Sequence, residues 1–209
     1  LEEIDVIMEV TGDPEFAANV VYEAINNGKH VVTMNPELQG TIGPILQQYA
    51  SKNEVIITDS DGDQPGVMMN LFRFVKGLGM RPVLVGNIKG LHDCYRTPSS
   101  QEEYARDHGL STLMATSFAD GTKMSFEMSL IANATGLRVG KLGMYGPHAD
   151  NVQQAHDLFP LEQLLEFGLV DYIVGAEPAP GVFCFGTLVD FENSKRYRRD
   201  QMHWLKMYK

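Results

Sequence analysis

The sequence predicts an α/β fold: a parallel sheet built from β-α-β units, followed by a mixed α+β portion. Two observations carry this. Through the first third of the chain, short apolar runs alternate with helix-length amphipathic stretches, the pattern of strands joined by crossover helices. Beyond about residue 80 that alternation gives way to longer, less regular elements, so a soft boundary divides residues 1–80 from 81–209.

Each element follows from its own residues. Ile4 to Val10 is an apolar run ending at Thr11-Gly12. Asp13-Pro14 then opens a helix, with Asp13 as N-cap and proline at the first helical position. Ala17, Val20, Val21, Ala24 and Ile25 continue it at spacings of three and four, and Asn27-Gly28 stops it. His30 to Asn35 is the second strand, a helix runs from about Ile42 to Lys52, and Glu54 to Asp59 is the third strand. A helix over about 65–78 carries Met68, Leu71, Phe72 and Val75 on one face, and Gly77-Leu78-Gly79 closes it. Pro82 to Lys89 is a strand and 92–103 a polar loop. A helix is expected over 121–135, a strand around Arg138–Met144, a short helix over 160–167, and strands near 170–175 and 182–188.

Composition narrows the function. Of the 209 residues, 44% are hydrophobic and 21% charged, which excludes wholesale disorder. A net charge of −10 argues against nucleic acid as a main partner. Two cysteines, Cys94 and Cys184, make no disulfide framework and fit a reducing cytoplasm. No apolar run approaches the roughly 18 residues of a membrane span. Leu1-Glu2-Glu3-Ile4-Asp5 has no basic segment, so no signal peptide is visible. The chain lacks an initiator methionine and ends at Lys206-Met207-Tyr208-Lys209 without a polar tail, the look of an excerpt from a longer protein.

In open α/β sheets ligands bind outside the carboxyl ends of the strands. Those ends are Val10-Thr11-Gly12, Met34-Asn35-Pro36-Glu37 and Asp59-Ser60-Asp61-Gly62-Asp63. No GxGxxG opens a helix after the first strand, and Gly77-Leu78-Gly79 is only a helix stop.

The densest polar segment runs from Phe118 to Glu127. With a helix starting near Gly121, Lys123 and Glu127 share a face, Asp120 sits at the mouth, and Met124, Met128 and Ile131 form the opposite stripe. A cation, a carboxylate and a helix N-terminus within one turn suit a carbonyl substrate: hydride adds to carbon, charge grows on oxygen, and lysine stabilises or protonates it. Lys89, at a strand end, is a second cation that could enter the site. Arg96, in the polar loop with His92 and Asp93, could fork onto an anionic substrate group. His148, Asp150, His156 and Asp157 match no metal-ligand spacing, so no metal site is predicted.

Asp5 to Gly12, with Gly28 to Asn35, resembles the second half of the nucleotide-binding domain of homoserine dehydrogenases. Later blocks resemble the homoserine-dehydrogenase-like NAD(P)-dependent oxidoreductases that carry a C-terminal SAF domain. Those blocks include Gly62-Asp63-Gln64-Pro65, Arg96-Thr97-Pro98, Met114 to Lys123, Ala132 to Gly136 and Val170 to Gly175. The resemblance implies the C-terminal half of a Rossmann-like parallel sheet over 1–80, followed by an α+β substrate-binding and dimerisation domain over 81–209.

It further implies NAD or NADP as cofactor, a small-molecule substrate and a homo-oligomer, a dimer. Thr11 and Gly12 would lie near the nicotinamide ribose and Asn35 near the nicotinamide, with Glu37 beside them. Asp120, Gly121, Thr122 and Lys123 would supply substrate-binding and catalytic groups. Pro36 stands where homoserine dehydrogenases place a lysine, so the resemblance does not fix homoserine as the substrate, and Lys89 and Lys123 remain as candidate cations. The reading is an oxidoreductase acting on a small polar carbonyl or hydroxy compound, phosphorylated ones included. Two alternatives stand beside it: a deoxyxylulose-phosphate-type reductoisomerase using a divalent metal, and a non-catalytic effector-binding or scaffold protein.

Overall fold

A computed structural model describes residues 3–177 and 179–188, and the backbone of a last strand over 203–208. The terminal residues Leu1, Glu2 and Lys209, used above for the signal-peptide and excerpt readings, lie outside the described residues. The chain separates into two compact units, Leu1–Gly66 and Val67–Lys209.

The first unit holds β1 (Val6–Glu9), α1 (Pro14–Asn26), β2 (His30–Thr33), α2 (Pro36–Lys52) and β3 (Ile57–Asp59). The sheet is parallel in the order β1-β2-β3, with Val6 opposite His30 and Val31 opposite Ile57. Its core combines Ala17, Val21 and Ile25 of α1, Val31 of β2, and Leu38 and Leu46 of α2. Asp13 caps α1 by accepting from the backbone N–H of Glu15 and Phe16. The opposite sheet face leaves Val6, Met8, Val10 and Ile56 exposed.

Helix α2 starts six residues before the expected Ile42. Asn35 caps it, accepting from the Leu38 N–H, and Pro36 takes the first helical position. This is the same device as Asp13-Pro14; Gly40, Gly43 and Pro44 read as breakers and hid it.

The second unit is a four-stranded mixed sheet of β4 (Met80–Lys89), β5 (Leu169–Val174), β6 (Gly181–Leu188) and β7 (His203–Tyr208), ordered β5-β4-β6-β7. Only β4 and β5 run parallel, so their carboxyl ends share one edge. One face packs Val85, Val170, Tyr172, Val182 and Cys184 against helices α3 (Gln64–Gly77) and α6 (Thr122–Thr135). The other packs Leu84, Ile88, Leu169, Ile173, Phe183 and Phe185 against Val152, Phe159 and Leu164, the last from α7 (Leu161–Glu166). Because Val67, Met68, Leu71 and Val75 of α3 join this core, the division falls at Gly66/Val67 and not near residue 80.

Two helices stand where none was expected, α4 (Glu102–His108) and α5 (Thr112–Asp120), the second capped by Ser111 accepting from Met114 N–H. The strand expected at Arg138–Met144 is an irregular loop touching the sheet by the single bridge Arg138–Leu169. Met144, Gly143 and Gly146 have positive φ there, which no strand tolerates in series. The Asp171 carboxylate holds the loop, accepting the Tyr145 and Gly146 N–H at 2.8 and 2.9 Å.

Candidate functional site

At the carboxyl edge of the first unit a buried carboxylate organises the strand ends. Glu9 accepts the Thr11 N–H and hydroxyl at 2.7 and 2.6 Å, and the Thr33 hydroxyl at 2.9 Å. The Thr33 hydroxyl in turn accepts the Asn35 N–H at 3.0 Å. One network therefore shapes the ends of β1 and β2. Glu9 was not singled out from sequence, although a carboxylate in an apolar strand was the signal. Thr11 and Gly12 are exposed at this edge, and Asn35 is buried.

The Asn35 carbonyl oxygen is spent on the cap, while its amide nitrogen is buried without a hydrogen-bond partner, as is the Ser60 hydroxyl just past β3. Buried polar groups seldom go unpaired. Two of them at a ligand edge fit a polar group such as a carboxamide, as the nicotinamide ring carries. Glu37 lies in the first turn of α2, where the macrodipole favours a carboxylate. Asp59, at the end of β3, takes a bond from the Gln39 amide at 2.5 Å, yet burial and neighbouring Asp63 push its carboxyl up to about 6.

The second unit gathers a different set. Asn87 and Lys89 alternate with Val85 on the β4 face that α6 covers, and Glu127 of α6 comes down onto them. Glu127 and Asn87 are both 0% exposed. The Asn87 amide donates to Glu127 Oε2 at 2.5 Å, and Lys89 Nζ stands 3.5 Å from the same oxygen. The Lys89 side chain is 16% exposed, part-buried at the strand end. Such a buried pair is held in one geometry because breaking it leaves an uncompensated charge.

Across the strand pair, Tyr172 lies opposite Asn87 on the same face, and its hydroxyl is 3.0 Å from His92 Nδ1. Burial raises the Tyr172 phenol pKa, with the charges of Asp171 and Cys94 adding to it.

The predicted helix start at Gly121 is observed: α6 begins at Thr122, with Gly121 at φ 91 as its cap. Asp120 sits at that mouth and accepts the Thr122 N–H at 2.8 Å. Two expectations change. Glu127 does not oppose the apolar stripe but lies in it, because 124, 127, 128 and 131 are spaced by three and four. Its carboxylate goes across to Lys89, whereas the Lys123 ammonium stands over the Phe118 ring, 5.6 Å from the centroid. Arg96 forms a half-exposed ion pair with Asp93 at 3.0 Å within its own loop. Among the described residues no three His, Cys, Asp or Glu side chains converge as a metal site. No described helix is long and apolar enough to cross a membrane.

A parallel strand-helix unit with an open polar edge, followed by a mixed sheet with a part-buried lysine on a buried carboxylate, is matched by family models of homoserine-dehydrogenase-like oxidoreductases. Comparison with known proteins makes this specific. Residues 62–209 match the model of the oxidoreductase DRL catalytic domain, and residues 1–58 match the homoserine dehydrogenase NAD-binding domain. The chain belongs to the oxidoreductase DRL family.

Over 56 residues, 27% of this chain, it is 38% identical to a homoserine dehydrogenase of Neisseria gonorrhoeae, covering 13% of that protein. A homoserine dehydrogenase structure from Thiobacillus denitrificans superimposes with TM-score 0.42 and 22% identity, over 65% of this chain and 34% of that one. A putative homoserine dehydrogenase from Archaeoglobus fulgidus gives TM-score 0.40 and 21% identity, over 63% and 44%. The chain thus spans well under half the length of each of these relatives.

Proposed function

We propose that this chain contributes to an NAD- or NADP-dependent oxidoreductase that interconverts a small polar carbonyl compound and its alcohol, with Lys89 as the cation at the reacting oxygen. The observation that carries this is the Lys89–Glu127–Asn87 arrangement. The nicotinamide, when bound, supplies or accepts the hydride. As hydride reaches the carbonyl carbon, negative charge collects on oxygen, and a pre-oriented ammonium lowers the cost of that charge. Lys89 donates to the oxygen and passes it a proton in reduction; Glu127 and Asn87 hold Lys89 in place. Asn35, with Thr11 and Gly12, would bind the nicotinamide side of the cofactor. Lys123, Thr122 and Arg96 are assigned to the polar groups of the substrate, including a phosphate where one is present. A dimer in the cytoplasm completes the reading, and sedimentation of the full-length protein tests the dimer.

The test is NAD(P)H oxidation by the full-length protein with deoxyxylulose phosphate, and NAD(P) reduction with homoserine. Lys89→Ala should lower kcat by about a hundredfold while leaving cofactor affinity nearly unchanged. Lys123→Ala should act mainly on KM. Should Lys123→Ala abolish kcat while Lys89→Ala leaves it intact, the roles are exchanged. Loss of turnover with a chelator would favour the metal-using reductoisomerase.

A further inference from the structure

We propose that His92 is a further substrate-orienting residue of this site, presenting its Nε2–H to the substrate while Tyr172 holds its other nitrogen. The proposal rests on the oxidoreductase reading above and adds a residue to it.

The ring is fixed from one side. Tyr172 is 4% exposed, its hydroxyl is 3.0 Å from His92 Nδ1, and the two rings meet edge to face at 77° with centroids 5.3 Å apart. Tyr172 is itself confined. Gly146, at φ 53, lies so close that an added Cβ would fall 2.2 Å from the phenol carbon and oxygen. Asp171 pins that glycine through its N–H. In this contact the Tyr172 hydroxyl is taken as the donor and Nδ1 as the acceptor. The ring proton is then on Nε2.

From the other side, Nε2 has no hydrogen-bond partner among the described residues, and the ring is only partly buried. It lies against Gly121, where an added Cβ would come within 2.8 Å of Nε2. Glycine at 121 therefore does two things: it permits the positive φ of the cap, and it leaves room for Nε2 at the mouth of α6. Glu127 lies six residues further along α6, about 9 Å of helix rise. On the sheet face that α6 covers, Tyr172, which holds His92, stands opposite Asn87, which bonds Glu127, the partner of Lys89, so His92 and Lys89 are tied to the same face of the β4–β5 pair. A bound substrate that touches Lys89 with its reacting oxygen would offer His92 a second oxygen.

His92→Gln keeps an N–H donor near the position of Nε2, whereas His92→Asn reaches only the Nδ1 position. For the full-length protein, His92→Asn should lower kcat/KM by about a hundredfold and His92→Gln by much less. Urea unfolding should be alike for both variants, which a purely structural role would not give.

A second readout needs no turnover. In histidine labelled with nitrogen-15, the His92 ring should carry its proton on Nε2 in the wild type and lose that preference in Tyr172→Phe. Its Nε2 resonance should also shift when deoxyxylulose phosphate or homoserine is added to protein loaded with NADP. A proton on Nδ1, no Nε2 shift with either probe, or a fully active His92→Asn would overturn the proposal. An inactive wild type with an intact Nε2 shift would instead count against the oxidoreductase reading alone.

Discussion

Glu127 is the residue on which the second unit's site turns. Its carboxylate is removed from water inside a methionine-rich stripe, with Asn87 and Lys89 set against Oε2. Replacing it by alanine leaves the buried Asn87 amide without this acceptor and removes the carboxylate beside the part-buried Lys89, so Glu127→Ala should cost about 2–3 kcal/mol in urea unfolding, and Glu127→Gln less. At the other edge, Asn35→Asp keeps the oxygen that caps α2 but removes the unpartnered amide donor. It should weaken nicotinamide binding about tenfold, and burying the new carboxylate should cost about 1–3 kcal/mol of stability.

The spacing of Lys123 and Glu127 was readable along one helix, and so was the helix start at Gly121. What spacing could not supply was the partner across the interface: Lys89 and Asn87 lie about 40 residues away, and only the sheet brings them beneath α6. Tyr172 was hidden for the same reason, 80 residues from His92.

Helices were legible where a cap and a clean apolar stripe coincide, as in α1. They were missed where breakers interrupt the stripe, as in the first half of α2, and also in α4 and α5, although the shorter α7 was read. Asp13→Ala should cost about 1 kcal/mol by removing the α1 cap.

The segment between α6 and β5 illustrates the opposite failure. Its residues Arg138–Met144 are partly apolar, but Gly143 and Met144 take left-handed backbone, and Asp171 holds the residues that follow.

The end of β3 carries a pH signature. Asp59 has its carboxyl pushed from 3.8 to about 6 by burial and by Asp63, so the folded state binds more protons than the unfolded chain between those values. Stability contributed by this group is therefore present at low pH and lost as pH rises through about 6, a change of up to about 3 kcal/mol. Asp59→Asn should flatten that segment of the stability–pH curve, which urea titrations at pH about 4 and about 7 would read.

At the scale of the molecule, the two units have different architectures. The first is a parallel sheet with its helices on one face, and Val6, Met8, Val10 and Ile56 exposed on the other. Parallel sheets are ordinarily covered on both faces. Substitution of Met8 by lysine should therefore be nearly neutral for the stability of this chain, while Val31→Ala, in the core, should cost about 2 kcal/mol.

The alternation of strand and helix in this unit was plain in the sequence because each element is short and capped. In the second unit β4, β5 and β6 and the helices α3, α6 and α7 were read in order, while β7 and the strand pairing were not. The pairing of β5 and β6 on either side of β4 joins residues 85 to 108 positions apart, which local patterns do not encode.

The central claim is that this chain works with a nicotinamide cofactor, and one titration tests it most directly. NADH and NADPH are added to the full-length protein while nicotinamide fluorescence is followed, for the wild type and for Asn35→Asp. The account predicts saturable binding of at least one of the two, weakened in the variant. If neither cofactor binds the wild type, the polar edge at Asn35 serves another ligand and the oxidoreductase reading of the site is contradicted.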